Sequence, residues 1–418
     1  MNTNRARRSR AAIVCAAGVI LSLAACGGGG GFEEESSAPQ QSTGPSKLQI
    51  LIGTSGDAET AAVKAAADGW AKKTGNTAEV VVASDLNQQL GQGFAGGTPP
   101  DIFYADAARI GDFAKAGNLF AYGDQVKDAG FLDSLVKTYT YEDKLQCAPK
   151  DFSTLALIIN TDLWTKAGLT DADIPKDWAG LEAAATKLTN GKVTGLVVSG
   201  EWARVGAFMK QAGGWVVNED GTEVTADSAE NLAGLTQAQK LLKSGSMKYA
   251  KEVDSGWGGE VLGKGVAAMT IEGNWIRGAL TKDFPNIKTK VVELPEGPGG
   301  KGTLVFSNCW GIAAKSKSQA AAVDLVKTLT STEQQMAFAK AFGVMPSTEE
   351  GSQQYAQQFP NDAAFAAGGE YGQGPVNAPG FDPVMAAFNT DLEQLRTKDP
   401  KAILEALQKN GASALGGK

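Results

Sequence analysis

The sequence predicts an α/β fold organised as two domains or two lobes, from its length and from the order of its elements. The chain has 418 residues, and a folded body that begins at residue 47 spans 372 of them. That length exceeds one ordinary domain core. A strand, a helix and a second strand follow each other at the start of this body. This order indicates a parallel pair of strands with helices packed on the sheet.

The first third of the body alternates strands and helices. Leu48, Ile50 and Ile52 alternate with their neighbours as residues of a strand do, and Gly75 ends the helix that follows. The predicted elements are strands at 48–52, 79–83 and 102–104, and helices at 57–74 and 110–115. These elements predict an α/β domain in this part of the chain.

The rest of the body carries a second set of α/β elements. The predicted strands lie at 155–160, 195–199 and 266–271, and the predicted helices at 181–188, 228–243, 320–329, 384–395 and 401–407. Ser331-Thr332-Glu333-Gln334 has the spacing of a capping box and predicts the start of a further helix.

The N-terminus has the pattern of a secretory signal, which we predict over residues 1–25. Four arginines precede an apolar run at 11–23, namely Arg5, Arg7, Arg8 and Arg10. The run is shorter than the ~20 apolar residues that cross a bilayer. Residues 26–46 are rich in Gly, Ser, Gln and Pro, which predicts a flexible tether.

Charge and histidine content exclude several classes of protein. The chain has 39 basic and 46 acidic residues, and loss of the four signal arginines leaves a net charge of −11. A body this acidic argues against nucleic acid as a partner. The chain has no histidine. A Ser-His-Asp or Cys-His triad therefore cannot form, and the commonest zinc ligand is missing.

Two cysteines of the body form a candidate disulfide. Cys15 leaves with the signal, so that Cys147 and Cys309 remain besides Cys26. An isolated pair in an exported protein predicts a disulfide that closes a long loop. The alternative is two buried free thiols.

Motifs along nearly the whole body resemble the extracellular solute-binding proteins of carbohydrate ABC transporters, the maltose-binding type. The segments that carry the resemblance are Gly97-Thr98-Pro99-Pro100-Asp101-Ile102, Gly117-Asn118-Leu119, Asn160-Thr161-Asp162-Leu163-Trp164, Pro175-Lys176-Asp177-Trp178, Gly263-Lys264-Gly265-Val266-Ala267-Ala268-Met269, Gly273-Asn274-Trp275, Leu294-Pro295-Glu296-Gly297 and Gly311-Ile312-Ala313. In addition, Leu23-Ala24-Ala25-Cys26 resembles the lipobox of bacterial lipoproteins, in which the cysteine becomes the lipidated N-terminus.

The resemblance implies a two-lobed periplasmic-binding-protein fold (type II-like), with a ligand cleft between lobes joined by hinge segments. Lobe 1 would comprise 47–152 plus 294–345, and lobe 2 would comprise 153–293 plus 346–418. The crossings would fall near Asp151, near Glu293 and near Val344-Met345-Pro346. Ligand would close the lobes, and a membrane permease would recognise the closed form.

A sugar site needs aromatic faces for the apolar side of the ring, and carboxylates, amides or arginine for the hydroxyls. Trp275 stands where the family has a stacking tryptophan, and Glu201-Trp202 ends a strand where the family has an acid and an aromatic residue. For the latter pair the alternative is a solvated acid beside a packed ring. Trp70, Trp164 and Trp178 are assigned to structure.

The remaining candidate ligand-binding residues lie at strand ends or at predicted crossings. They are Asp57, whose alternative role is a helix N-cap; Asp106 and Arg109; Asp151; Asn308 and Trp310, the latter equally suited to the core; and Phe381 and Asp382. Asp101 is assigned to structure. Ser153 stands where the family often has glutamate, which weakens any transfer of sugar identity.

The predicted function is a lipid-anchored substrate-binding protein of an ABC importer, which captures a mono- or oligosaccharide and performs no catalysis. Its partners would be the sugar, the permease subunits and the membrane through the lipid alone, and it would be a monomer without cofactor or metal. The alternatives are a lipid-anchored glycoside hydrolase with an acidic pair and a binder of another solute.

Overall fold

The computed structural model describes residues 44–53 and 56–416. The predicted signal peptide, the predicted lipidation site Cys26 and the predicted tether up to residue 43 lie outside the described residues.

A five-stranded sheet forms the centre of the first lobe. Its strands are β1 (Lys47–Ile52), β2 (Thr77–Val82), β3 (Ile102–Asp106), β6 (Ala148–Pro149) and β13 (Asn308–Ile312). They lie in the order β2-β1-β3-β13-β6. β1 is parallel to β2 and β3, as predicted, whereas β13 is antiparallel to β3 and β6. The carboxyl ends of β1 and β3 and the start of β13 therefore share one edge of the sheet.

Helices pack around this sheet; those at 86–96 and 133–139 were not predicted from the sequence, whereas the others were. They are α1 (Asp57–Thr74), α2 (Leu86–Gly96), α3 (Ile110–Lys115), α4 (Asp133–Tyr139), α11 (Gln319–Leu329) and α12 (Thr332–Phe342), and a short hairpin, β4 (Thr140–Tyr141) with β5 (Lys144–Leu145), follows α4. The hydroxyl of Ser331 accepts a hydrogen bond from the Gln334 N–H at 3.3 Å, which confirms the predicted cap of α12.

A second sheet forms the centre of the other lobe. Its strands are β7 (Ser153–Asn160), β8 (Thr194–Val198), β9 (Met247–Tyr249), β10 (Ala267–Gly273), β11 (Thr289–Val292), β12 (Thr303–Phe306) and β14 (Gly372–Gln373). The order is β14-β12-β7-β10-β8-β9, and β11 also pairs with β7. All eight residues of β7 are buried, because helices cover both faces of a central strand.

The helices of this lobe complete the α/β architecture. They are α5 (Thr161–Lys166), α6 (Trp178–Leu188), α7 (Trp202–Gln211), α8 (Ala229–Ser244), α9 (Gly258–Gly263), α10 (Ile276–Asp283), α13 (Glu349–Gln358), α14 (Ala363–Tyr371), α15 (Asp382–Leu392) and α16 (Pro400–Ala414). None of the helices between residues 44 and 416 is both long and apolar enough to span a membrane.

Three chain segments cross between the two sheets, and hydrogen bonds tie them together. The first crossing, residues 150–152, joins β6 to β7. The third crossing contains Met345, whose carbonyl accepts a hydrogen bond from the Phe152 N–H at 3.0 Å. The second crossing is Ser307, whose hydroxyl donates to the Asp151 carbonyl. This position differs from the prediction near Glu293, because β12 pairs with β7 and so belongs to the second sheet.

The two apolar cores account for the tryptophans assigned to structure. Trp70 is 3% exposed and donates to Asp324 at 2.7 Å, and Trp164 donates to the Thr170 carbonyl at 3.0 Å. Trp178 is half-buried and donates to Gln211 at 2.6 Å. The carboxylate of Asp101 accepts from the Gln49 N–H at 2.9 Å and joins two strands of the first sheet.

Cys147 and Cys309 form a disulfide with a Cα–Cα distance of 5.8 Å across 162 residues of sequence. Both cysteines are fully buried beside the first two crossings. Replacing both by alanine should lower the free energy of unfolding by about 4 kcal/mol, because the open chain regains the entropy of a long loop. Urea unfolding at pH 7 measures the loss, and wild-type protein unfolded with a reductant is the matched control. An unchanged midpoint in both samples would contradict the prediction.

Candidate functional site

The cleft is lined by the ends of strands from both sheets. In the first lobe these are the segment after β3 and the start of β13, and in the second lobe the segments after β8, β10 and β12. Ligands of α/β proteins bind at the carboxyl ends of strands because loops of several strands converge there. The candidate site residues therefore come from distant parts of the sequence.

Three aromatic side chains, which we call the aromatic platform, lie together on the second lobe: Trp202, Phe306 and Trp275. The ring centroids of Trp202 and Phe306 lie 6.3 Å apart at an interplanar angle of 31°, and those of Phe306 and Trp275 lie 5.3 Å apart, edge to face. Trp275 is 38% exposed, which is unusual for so large an apolar side chain. Both predicted tryptophans are thus brought together. Phe306 was not predicted, although it ends a strand just before the second crossing.

A buried ion pair holds Trp275 in place. The Glu272 carboxylate is fully buried, and its Oε2 accepts from Arg204 Nη2 at 2.6 Å and from Trp275 Nε1 at 3.0 Å. Its Oε1 accepts from the Gly258 N–H at 3.1 Å. Arg204 Cζ also lies 5.3 Å from the Trp275 ring centroid, within cation–π range. Glu272 therefore fixes the orientation of the platform.

Glu272 and Arg204 were not among the residues predicted from the sequence, although one signal pointed to them. Glu272 is an acid near the end of the apolar strand β10, where a buried carboxylate requires a cation. That cation lies 68 residues away on α7, and no local pattern connects the two positions.

Glu201 stands at the N-terminus of α7, next to the platform. Its side chain is 45% exposed and lies 3.7 Å from Arg204, and it makes no capping bond to the helix. The N–H of Trp202 donates to Asn389 Oδ1 at 2.7 Å, which joins α7 to α15. The Glu201 carboxylate is thus exposed, whereas the Trp202 ring next to it is half-buried. A sugar site needs a hydrogen-bonding group and a stacking surface placed side by side in this way.

Arg109 and Asp382 form an ion pair between the lobes. Arg109 follows β3 in the first lobe, and Asp382 begins α15 in the second. Asp106 is exposed and accepts from the Ala108 N–H at 2.8 Å. Asn308 is half-buried and lies opposite Asp106 in the register of β13 and β3. The structure thus brings these four predicted residues to one part of the cleft.

Two of the predicted ligand-binding residues are buried in the core, and for Trp310 this is the alternative that the sequence left open. Trp310 is fully buried, and its ring packs edge to face on Tyr104 with centroids 5.0 Å apart. Phe381 is 1% exposed and packs in the core of the second lobe. Side chains alternate between the two faces of a strand, so Trp310 and Asn308 lie on the same face of β13. Trp310 lies further from the start of the strand, and there Tyr104 covers its ring.

Asp151 takes part in a buried charge cluster that we call the hinge cluster: Glu59, Lys150, Asp151 and Tyr104. Lys150 Nζ bonds to Asp151 and, at 3.0 Å, to Glu59 Oε1. The Tyr104 hydroxyl donates to the same Glu59 oxygen at 3.0 Å. Asp151 is only 8% exposed. Asp151, a predicted ligand contact, is therefore ion-paired with Lys150, which was not among the predicted residues.

Burial and neighbouring charges shift the pKa values of Lys150 and Asp151 in opposite directions. Burial disfavours the charge of Lys150, but Asp151, Tyr104 and Glu59 together outweigh it and raise the pKa of Lys150. Burial raises the pKa of Asp151 despite the neighbouring ammonium. Lys150 consequently stays charged and neutralises carboxylates at the point where the chain first crosses between the lobes.

Asp57 is exposed at the first position of α1, and Gly56 occupies the N-cap position. Residues 54 and 55, which precede it, lie outside the described residues. An acid in the first turn suits the helix dipole. In the described ranges, no group of three His, Cys, Asp or Glu side chains is arranged to hold a metal ion.

Comparison with known proteins identifies relatives of this architecture. A family model described as bacterial extracellular solute-binding protein matches residues 65–367. The diacetylchitobiose binding protein DasA of Streptomyces coelicolor is 24% identical over 332 residues, which cover 76% of this chain and 76% of that protein.

Solved structures share the fold. An ABC substrate-binding protein of Listeria monocytogenes in complex with cycloalternan superposes with a TM-score of 0.77 at 22% identity, over 90% of this chain and 100% of that one. A cyclo/maltodextrin-binding protein complexed with maltotetraose gives a TM-score of 0.76 at 24% identity, over 89% and 98%. The predicted two-lobed α/β fold is confirmed by these similarities.

Proposed function

Since the chain belongs to the family of bacterial extracellular solute-binding proteins, we propose that it captures a mono- or oligosaccharide between its lobes and delivers it to an ABC importer. A lipid on Cys26 would hold it at the extracytoplasmic face of the membrane. The observation that carries the sugar assignment is the aromatic platform, with Trp275 38% exposed at a strand end.

The chemistry of the platform suits a carbohydrate. A sugar ring presents an apolar C–H face that stacks on an aromatic ring, while its hydroxyls require charged or amide partners at the rim. Trp275 and Trp202 offer the faces, and Glu201, Asp106 and Asn308 offer the polar groups. The names of relatives point the same way, since they bind diacetylchitobiose, cycloalternan and maltotetraose.

The N-terminal sequence supports export and anchoring. An arginine-rich start, an apolar run and Leu23-Ala24-Ala25-Cys26 precede the Gly- and Ser-rich segment, as in a bacterial lipoprotein. A lipid and a flexible tether would keep the capture protein close to its permease, because tethering raises the local concentration.

The buried acids beside the cleft are unsuited to hydrolysis. Glycoside hydrolysis needs one carboxyl group free to protonate the leaving oxygen and a second free to act as base or nucleophile. Glu272 is bonded to Arg204 and Trp275, and Asp151 and Glu59 are bonded to Lys150. Ion-paired carboxylates of this kind serve to position neighbouring groups.

Isothermal titration with a panel of sugars tests the proposal, and the charge of the cleft predicts its selectivity. Arg109, Arg204 and Lys150 are each bonded to a carboxylate, whereas Asp106 and Glu201 add negative charge at the rim. We therefore expect glucuronic acid to bind about tenfold or more weakly than glucose, because like charges repel in a partly desolvated site. Glucuronamide, which is uncharged and nearly isosteric, should bind as glucose does.

The panel includes glucose, maltose and N,N′-diacetylchitobiose, and each sample is assayed for released reducing ends after incubation. Binding without product supports capture. Release of product would favour the hydrolase, and binding of none of the sugars by the folded protein would refute the proposed function. Equal affinity for the acid and its amide would refute the charge argument alone.

A further inference from the structure

The segment that follows β14 runs along the first lobe. β14 is an edge strand of the second sheet, and the chain leaves its carboxyl end at Gln373 to reach α15 at Asp382. The segment between them, which we call the end segment (374–381), continues the cleft-facing edge of the sheet beyond its last strand. Its position is therefore at one end of the cleft.

The end segment is held against the first lobe by hydrogen bonds between side chains and backbone groups. The Gly380 N–H donates to Asp112 Oδ1 at 3.0 Å, and Asn377 Nδ2 donates to the Thr138 carbonyl at 2.7 Å. A Cβ added to Gly111 would lie 2.0 Å from the Asn377 carbonyl oxygen. Glycine at this position is thus what lets the two backbones touch.

The Arg109–Asp382 ion pair closes the remaining gap beside this segment. A cavity of about 220 Å³ lies beside Asp382 of the pair and Trp202 of the platform. Ala108 lines it from the first lobe, and Pro375 and Asn389 line it from the second lobe. This volume is below the ~300–1,000 Å³ of pockets for drug-sized ligands. The space between Trp202 and the ion pair therefore suits one sugar ring.

We propose that the end segment and the Arg109–Asp382 pair form an end wall that stops a sugar chain from extending past the cavity beside Trp202. One ring occupies the cavity against the wall, and a second stacks on Phe306 and Trp275 of the platform.

The inference rests on the proposed function and is tested by ligand length. Wild-type protein and Arg109→Ala are titrated with two series, glucose to maltotetraose and N-acetylglucosamine to chitotetraose. In the wild type, affinity should not rise from the disaccharide to the trisaccharide, since the sugar chain cannot extend past the wall. Arg109→Ala removes the side chain that closes the gap, so the ratio of disaccharide to trisaccharide affinity should fall by about tenfold.

Two further variants separate a wall from a general effect on the fold. Asp382→Ala breaks the same pair from the other lobe and should change the ratio in the same direction. Glu182→Ala breaks the surface pair with Lys240, 2.7 Å long and remote from the cleft, and should leave the ratio unchanged. A loss of folding alone would lower all affinities together without changing the ratio.

The outcomes distinguish the two proposals. Wild-type protein that binds tetrasaccharides about tenfold or more tightly than disaccharides, or an unchanged ratio in both wall variants, overturns the end wall and leaves sugar capture intact. Failure of every sugar in both series to bind the folded wild type overturns the proposed function and the end wall with it.

Discussion

Replacing Trp275 by alanine is expected to weaken sugar binding about 100-fold, the effect of removing a central aromatic contact at a binding site. The side chain is 38% exposed, so its loss should cost little stability, and its orientation is set before ligand arrives by the bond to Glu272 and the nearby Arg204 guanidinium. Preorganisation of this kind places the loss in affinity rather than in folding. Isothermal titration with the best sugar of the panel measures it.

Two substitutions serve as controls for Trp275. Trp275→Phe keeps an aromatic face but loses the indole N–H, so it should recover part of the affinity. Val82→Ala changes the other large apolar side chain that is exposed within the described part of the chain, on the edge strand β2 of the first sheet, and should leave affinity unchanged. Binding of the alanine variant within twofold of the wild type would remove Trp275 from the site.

Replacing Lys150 by methionine is expected to lower the free energy of unfolding by about 3–5 kcal/mol, the typical cost of removing one partner from a buried ion pair. The ammonium is 4% exposed and bonded to both Glu59 and Asp151. Methionine fills the space but removes the positive charge that lies between these two carboxylates. Urea unfolding at pH 7 measures the change, and Lys240→Met, which removes a lysine whose side chain is 59% exposed, should stay within about 1 kcal/mol of the wild type.

The pH dependence of the unfolding free energies of wild type and Lys150→Met tests whether the lost charge causes the destabilisation. The pKa of Lys150 is raised above the ordinary value of 10.5, so its contribution to stability is fully present below that pH. The contribution is lost as pH rises through the pKa of the folded state. The difference in unfolding free energy between wild type and Lys150→Met should therefore shrink above pH 10.5. A difference that is constant up to pH 12 would show that lost packing, rather than charge, destabilises the variant.

The sequence by itself determined the elements whose signal is local. The alternation of Leu48, Ile50 and Ile52 predicted β1, and the apolar face of 57–74 with Gly75 after it predicted α1 to the residue. The isolated pair Cys147 and Cys309 predicted a disulfide, because an exported chain leaves few other uses for two cysteines. The first two inferences need only the spacing of side chains along a strand or a few helical turns, and the third needs only the number of cysteines.

Only the tertiary structure decided which polar and aromatic residues face the cleft. Trp275 and Trp310 both follow or lie in strands with similar sequence surroundings, yet one is 38% exposed and the other fully buried. Glu272 with Arg204, and Arg109 with Asp382, are partners across 68 and 273 residues of sequence. The second crossing likewise lies at Ser307 because β12 pairs with β7. Exposure, charge pairing and strand order depend on which distant segments pack together, and a single sequence carries no local signal for that packing.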